Sequence, residues 1–170
     1  MHHVHVDRVI DQPADAVWAK LDDFGGVYRY HPLVVTSPLA NGIGSGLGAQ
    51  RVCHFDDGNS IREEITAYEP GRELEIEIVD PGKFPLKRAV ARLSVEPLGE
   101  NRSRVDFEMN FQPKFGPLGW FLGKTVMVGQ FRRILGSVLE GLETHLQTGE
   151  VVSRKPRPTA AGQEQELPHG

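Results

Sequence analysis

The sequence predicts an α+β fold: a curved antiparallel sheet of about six to seven strands wrapped around one long C-terminal helix, with two short helices after the first strand. Three observations predict it. The stretch from Pro117 to Thr148 carries a sustained helical period. Phe121, Leu122, Thr125, Val128, Phe131, Leu135, Val138, Leu142 and Leu146 recur at three- and four-residue steps, while Lys124, Arg132, Arg133, Glu140 and Glu143 fall mostly on the other side. Nearly everything before it reads as strand. Finally, at ~1.5 Å per residue this helix runs roughly 45 Å, so it cannot bury its stripe alone and is expected to lie across the sheet.

Residues 3–11 form the first expected strand, with Val4, Val6 and Ile10 on one face and His2, His3 and His5 as surface histidines of an edge strand. Asp11 or Gln12 then stands near a helix N-cap, with Pro13 in the first turn, where a missing N–H costs nothing. Ala14, Val17, Trp18 and Leu21 give this helix an apolar side, and Gly25-Gly26 interrupts it. A second short piece, Val27 to Tyr30, ends before Pro32 because a residue preceding proline avoids the helix. Val34 to Ala40 reads as a short strand. The glycine-rich run from Asn41 to Gly48 is a loop and not a phosphate loop, since a strand follows it and no GKS or GKT closes it.

Ala49–Phe55 and Ser60–Tyr68 make a hairpin around Asp56-Asp57-Gly58-Asn59. Arg72–Val79 alternates, with Leu74, Ile76 and Ile78 inward against Glu73, Glu75 and Glu77 outward. Leu86–Glu96 and Ser103–Gln112 are the last strands, the latter turning Val105, Phe107, Met109 and Phe111 inward. From Glu150 the apolar period stops. Residues 1–149 are therefore expected to form one domain and residues 150–170 a disordered tail.

The composition excludes several function classes. The net charge of −4 speaks against nucleic acid as a partner. Cys53 is the sole cysteine, so no intrachain disulfide and no cysteine-based metal cluster is expected. The histidines lack zinc-ligand spacing, no dinucleotide glycine motif opens a helix, and neither metal nor cofactor is expected. No run approaches the roughly 18 apolar residues of a membrane span, and the N-terminal residues lack the apolar core of a signal peptide. A cytoplasmic location is the expectation.

A bent antiparallel sheet has a concave face that one helix fills with difficulty, so a cavity between the two is expected. Here the chain resembles a family. Ile10-Asp-Gln-Pro-Ala-Asp-Ala-Val-Trp18, Asp23-Phe-Gly, Tyr30-His-Pro-Leu-Val34, Gly48-Ala-Gln-Arg51, Asp57-Gly58, Glu63-Glu-Ile65, Tyr68-Glu-Pro-Gly71 and the terminal helix stand in matching order. Over about residues 3–148 this is similar to the START-like, or SRPBCC, superfamily of the helix-grip fold, and within it to the polyketide cyclase/dehydrase-like branch. The superfamily includes lipid carriers, hormone receptors and aromatase/cyclases, so the resemblance implies the fold more narrowly than the activity.

Arg51 and Glu63 are the first candidates for chemistry. With an odd loop of three residues Arg51 lies opposite Glu63 and Cys53 opposite Ile61; a two-residue Asp57-Gly58 turn pairs Arg51 with Glu64 instead. A guanidinium on the concave face offers a bidentate clamp for a carboxylate or carbonyl, and a neighbouring glutamate can orient it or move a proton. The alternative is a structural ion pair. His31, where a short helix meets the cavity rim, can donate to a carbonyl or shuttle a proton, or else simply pack at a helix end. Tyr30, Cys53, Phe55, Ile65, Phe107, Met109, Phe111, Phe121, Thr125 and Val128 are the expected ligand-binding residues. Trp120, Phe121 and Leu122, beside Gly116, Gly119 and Gly123, either cap the core, act as a lid over an apolar ligand, or touch a membrane or a second subunit. A homodimer is among these open alternatives. Two functions follow: a binder of a small hydrophobic molecule (lipid, polyketide or aromatic compound), or a cyclase/dehydratase using Arg51 with Glu63 or His31.

Overall fold

The computed structural model describes residues 1–152; the rest of the expected tail and the side chains at 122, 123 and 125 lie outside the described residues. Seven antiparallel strands form one sheet: β1 (His2–Ile10), β2 (Val34–Thr36), β3 (Gln50–Phe55), β4 (Ser60–Glu69), β5 (Glu73–Asp80), β6 (Leu86–Gly99) and β7 (Arg102–Pro113). Their spatial order is β1-β7-β6-β5-β4-β3-β2. Apart from the return of β7 to β1, each strand pairs with its sequence neighbour, as short connections dictate. The alternation of small and branched apolar residues with charged ones sets one face inward: Leu74 and Ile76 on β5, Ala91, Leu93 and Val95 on β6, and Val105, Phe107, Met109 and Phe111 on β7 are all buried. Register shifts interrupt the pairing of β4 with β5 at Arg62/Glu63 and at Ile65/Ala67, and that of β6 with β7 at Leu86/Arg88. Such bulges bend a strand and raise its twist, which gives the sheet its concave side.

Helix α1 (Ala14–Asp22) follows β1, and a 3-10 turn over Phe24–Arg29 follows α1. Pro13 itself is the N-cap of α1, and neither Asp11 nor Gln12 caps it by side chain. Gly25 and Gly26 lie inside the 3-10 turn and do not break it; a Cβ at Gly26 would collide with the Asp23 carboxylate. The C-terminal helical stretch is not one regular helix. It comprises α2 (Gly116–Leu122), a π-helical turn at Gly123–Met127 and α3 (Val128–Thr148). Each residue turns an α-helix by roughly 100°, so the wider π turn takes the upstream apolar residues out of phase. Downstream the stripe holds, with Leu135, Val138, Leu139 and Leu142 buried; upstream, Trp120 and Phe121 are exposed. Gly141 lets α3 approach the end of the 3-10 turn, where a Cβ would strike the Tyr30 carbonyl.

β1 is an edge strand, but His2 is buried between the rings of Phe111 and Trp120, at centroid distances of 5.3 and 5.6 Å. It shares the inward parity of Val4, which outweighs its polarity. Of the expected tail, residues 150–152 are held: Val152 N–H donates to the Arg29 carbonyl and the Glu150 carbonyl lies 2.6 Å from His145 Nδ1.

Candidate functional site

Between the concave face and α3 lies a cavity of about 210 Å³. Phe107, Met109 and Ala91 form its floor, Phe131, Ile134 and Leu135 of α3 its roof, and Tyr30 and His31 one wall. The partly exposed lining residues His31, Leu33, Phe55 and Phe84 mark its mouth. There Phe55 stands edge-on to both Phe84 and His31, at 5.5 and 6.0 Å between ring centroids.

The register of β3 and β4 decides the polar content. A three-residue loop, closed by Phe55 N–H to the Asn59 carbonyl and turned by Gly58 at φ +87°, pairs Arg51 with Glu63 and Cys53 with Ile61. Both charged side chains therefore point inward from an otherwise apolar face. Arg51 Nε donates to Glu63 Oε2 at 2.6 Å, and Arg51 Nη1 to the Phe24 carbonyl at 2.9 Å. The guanidinium carbon stands 4.0 Å from the centre of the Phe24 ring. Burial alone would lower the Arg51 pKa, but the Glu63 charge and the Cys53 and Tyr30 groups outweigh it and raise it, so the arginine is permanently charged. The Cys53 thiol reaches Glu63 Oε2 at 3.4 Å. Burial, helped by that carboxylate, pushes the thiol's pKa up, so it is an inert thiol.

His31 Nδ1 accepts the Leu33 N–H at 3.2 Å, which puts the proton of the neutral ring on Nε2. Burial lowers the His31 pKa to about 4, against an upward pull from Glu63. The imidazole is thus neutral near pH 7 and offers one N–H. Tyr30 beside it is buried, and burial raises its phenol to about 12. Neither the Tyr30 hydroxyl nor His31 Nε2 has a hydrogen-bond partner among the described residues, and both residues line the cavity. Two donors on one wall can therefore meet an oxygen of a bound molecule.

Of the residues expected from the sequence, Arg51, Glu63, His31, Tyr30, Cys53, Phe55, Phe107 and Met109 surround this cavity. Ile65 and Phe111 face the same side of the sheet but are fully buried outside its wall, Phe111 against Phe131 at 4.8 Å. Phe121 is exposed and Val128 is partly buried, both away from the cavity, while the Thr125 side chain lies outside the described residues. Sequence reasoning passed over Phe84, Gln130 and Ile134. Phe84 carried a signal, being the one aromatic in a polar loop; Gln130 and Ile134 border the helical stripe and carried none.

A family model described as "Polyketide cyclase / dehydrase and lipid transport" matches residues 1–147. The chain belongs to this family. Its helix-grip superfamily is the one the sequence resembles, and solved structures share the fold. XoxI from Bacillus cereus aligns with a TM-score of 0.73 at 20% identity, over 87% of this chain and 97% of that one. A protein from Thermus thermophilus aligns at 0.69 and 19%, over 87% and 99%. Norcoclaurine synthase from Thalictrum flavum, in complex with dopamine and hydroxybenzaldehyde, aligns at 0.66 and 12%, over 86% of each chain. At these identities the likeness is one of fold alone. Comparison with curated protein sequences finds no match. Among the described residues of this polyketide cyclase/dehydrase family member, no helix is long and apolar enough to cross a membrane.

Proposed function

We propose that residues 1–149 bind a small hydrophobic ligand between the sheet and α3. The observation that carries this reading is the cavity of about 210 Å³ with its mostly apolar wall. That volume exceeds the ~150 Å³ of an engineered apolar cavity that admits benzene and falls short of the ~300–1,000 Å³ of sites for drug-sized ligands. Among lipid, polyketide and aromatic compounds, a compact aromatic of one or two rings fits best. It is also uncharged. Arg51 is neutralised by Glu63, and His31 is neutral near pH 7, so the wall offers no spare positive charge for a carboxylate or phosphate. A ligand oxygen would be met by the Tyr30 hydroxyl and His31 Nε2–H. A lone buried thiol suits the cytoplasmic setting we propose.

The test is titration with prodan, a neutral naphthyl ketone whose fluorescence reports the polarity around it. Saturable, blue-shifted binding, weakened up to roughly tenfold by Tyr30→Phe, is expected. No probe shift, together with no bound mass in native mass spectrometry of the purified protein, would sink this reading.

The second reading is a cyclase or dehydratase in which Arg51 polarises a carbonyl and Glu63 or His31 moves a proton. A neutral His31 on the cavity wall favours it. The bonds that Arg51 already makes, from Nε to Glu63 and from Nη1 to the Phe24 carbonyl, weigh against it.

A further inference from the structure

The π turn that puts α2 out of phase with α3 leaves a concentrated apolar surface. Phe115, Leu118, Trp120, Phe121 and Val126 are each more than half exposed within twelve residues of chain, from 115 to 126. Scattered exposed apolar residues need no explanation, but a cluster of bulky ones marks a contact surface. Phe115 has a φ of 77°, unusual for an aromatic residue, at the junction of β7 and α2. Trp120 packs beside the His2 ring, and the Lys124 ammonium stands 5.6 Å from its ring centre.

Charge separates out in the same place. From residue 109 to residue 139 the chain has no aspartate or glutamate, while it carries Lys114, Lys124, Arg132 and Arg133, in a protein of net charge −4. Lys87 on β6 joins Lys114, Phe115 and Trp120 around one shallow groove. Exposed aromatic and aliphatic groups rimmed by lysines match an anionic lipid interface: tryptophan and phenylalanine enter the headgroup layer while lysine stems extend to its phosphates. A second copy of the chain is a poorer match, because a two-fold contact would set like-charged rims against each other.

We propose that the α2 face docks reversibly on membranes containing anionic lipid. The proposal stands on this surface alone and not on the ligand reading, although α3, which continues from it, lines the cavity through Gln130 and Phe131. Only Trp18 and Trp120 are tryptophans, and Trp18 is buried. In the otherwise intact Trp18→Phe chain, fluorescence therefore reports Trp120.

With vesicles of phosphatidylcholine plus phosphatidylserine, a blue shift and co-flotation are expected; both should fall with added salt and be much weaker on phosphatidylcholine alone. Lys114→Ala with Lys124→Ala should lower the partition coefficient roughly 30-fold. Trp120→Ala with Phe121→Ala should abolish flotation while leaving the circular dichroism spectrum and prodan titration unchanged. Absence of flotation with either vesicle would overturn the proposal. So would a concentration-dependent dimer in sedimentation that Trp120→Ala disrupts, since that outcome assigns the face to a second copy.

Discussion

Arg51 and Glu63 face each other across β3 and β4 at 2.6 Å, with side chains only 7% and 12% exposed, on a surface otherwise built from Cys53, Ile61 and Ile65. The arginine also donates to the Phe24 carbonyl, so one pair ties the sheet to the 3-10 turn that carries the cavity wall. Removing one partner strands a buried charge. Glu63→Gln is expected to cost about 3 kcal/mol in urea unfolding. Replacing both residues, Arg51→Met with Glu63→Leu, should cost less than Glu63→Gln alone, because no uncompensated charge remains and only the Phe24 carbonyl loses its donor. A Glu63→Gln variant of native stability that loses turnover would instead move the pair into catalysis.

The pH dependence of stability should report His31. Burial lowers its folded pKa from 6.5 to about 4, so between those values the unfolded chain takes a proton that the folded chain refuses. The stability it contributes is complete above pH 6.5 and is lost as pH falls through this window, reaching about 3 kcal/mol at most by pH 4. Urea midpoints measured across the window should fall, and His31→Asn should flatten that slope while still accepting the Leu33 N–H. An equal slope in both proteins would remove His31 from the account.

Three glycines of α3 make a paired test of packing against propensity. A Cβ at Gly129 or Gly136 meets nothing within 4 Å, so alanine there should raise stability by about 0.5–1 kcal/mol. At Gly141 the same methyl meets the Tyr30 carbonyl, and Gly141→Ala should lower stability by about 1–3 kcal/mol despite the better helix former. It should also disturb prodan binding, since Tyr30 would have to move. Thermal melts of the three single variants suffice to check the ordering.

Much of this was legible because strand patterning is a local signal. Leu74, Ile76, Phe107 and Met109 show their facing in the sequence, since alternate side chains leave a strand on opposite sides. The hairpin register was narrowed to two choices, and the loop geometry around Gly58 selected the pairing of Arg51 with Glu63. The helix was harder. The apolar spacing from Phe121 to Leu135 fits a straight helix, and nothing in it announces the extra residue of the π turn at Gly123–Met127. His2 illustrates the converse: its strand parity buried it, where residue type suggested the surface.

From the chain alone came the order of the strands, the concave face of the sheet and most of the residues that turn toward it, because each depends on neighbours a few positions apart. The tertiary structure decided what lies above each inward residue. Ile65 and Phe111 share parity with Cys53 and Met109, yet packing covers the first two and leaves the second two on the hollow. A period of two encodes direction only. Where the space opens depends on the bend of the sheet and the seat of α3, both set by contacts between residues far apart in sequence.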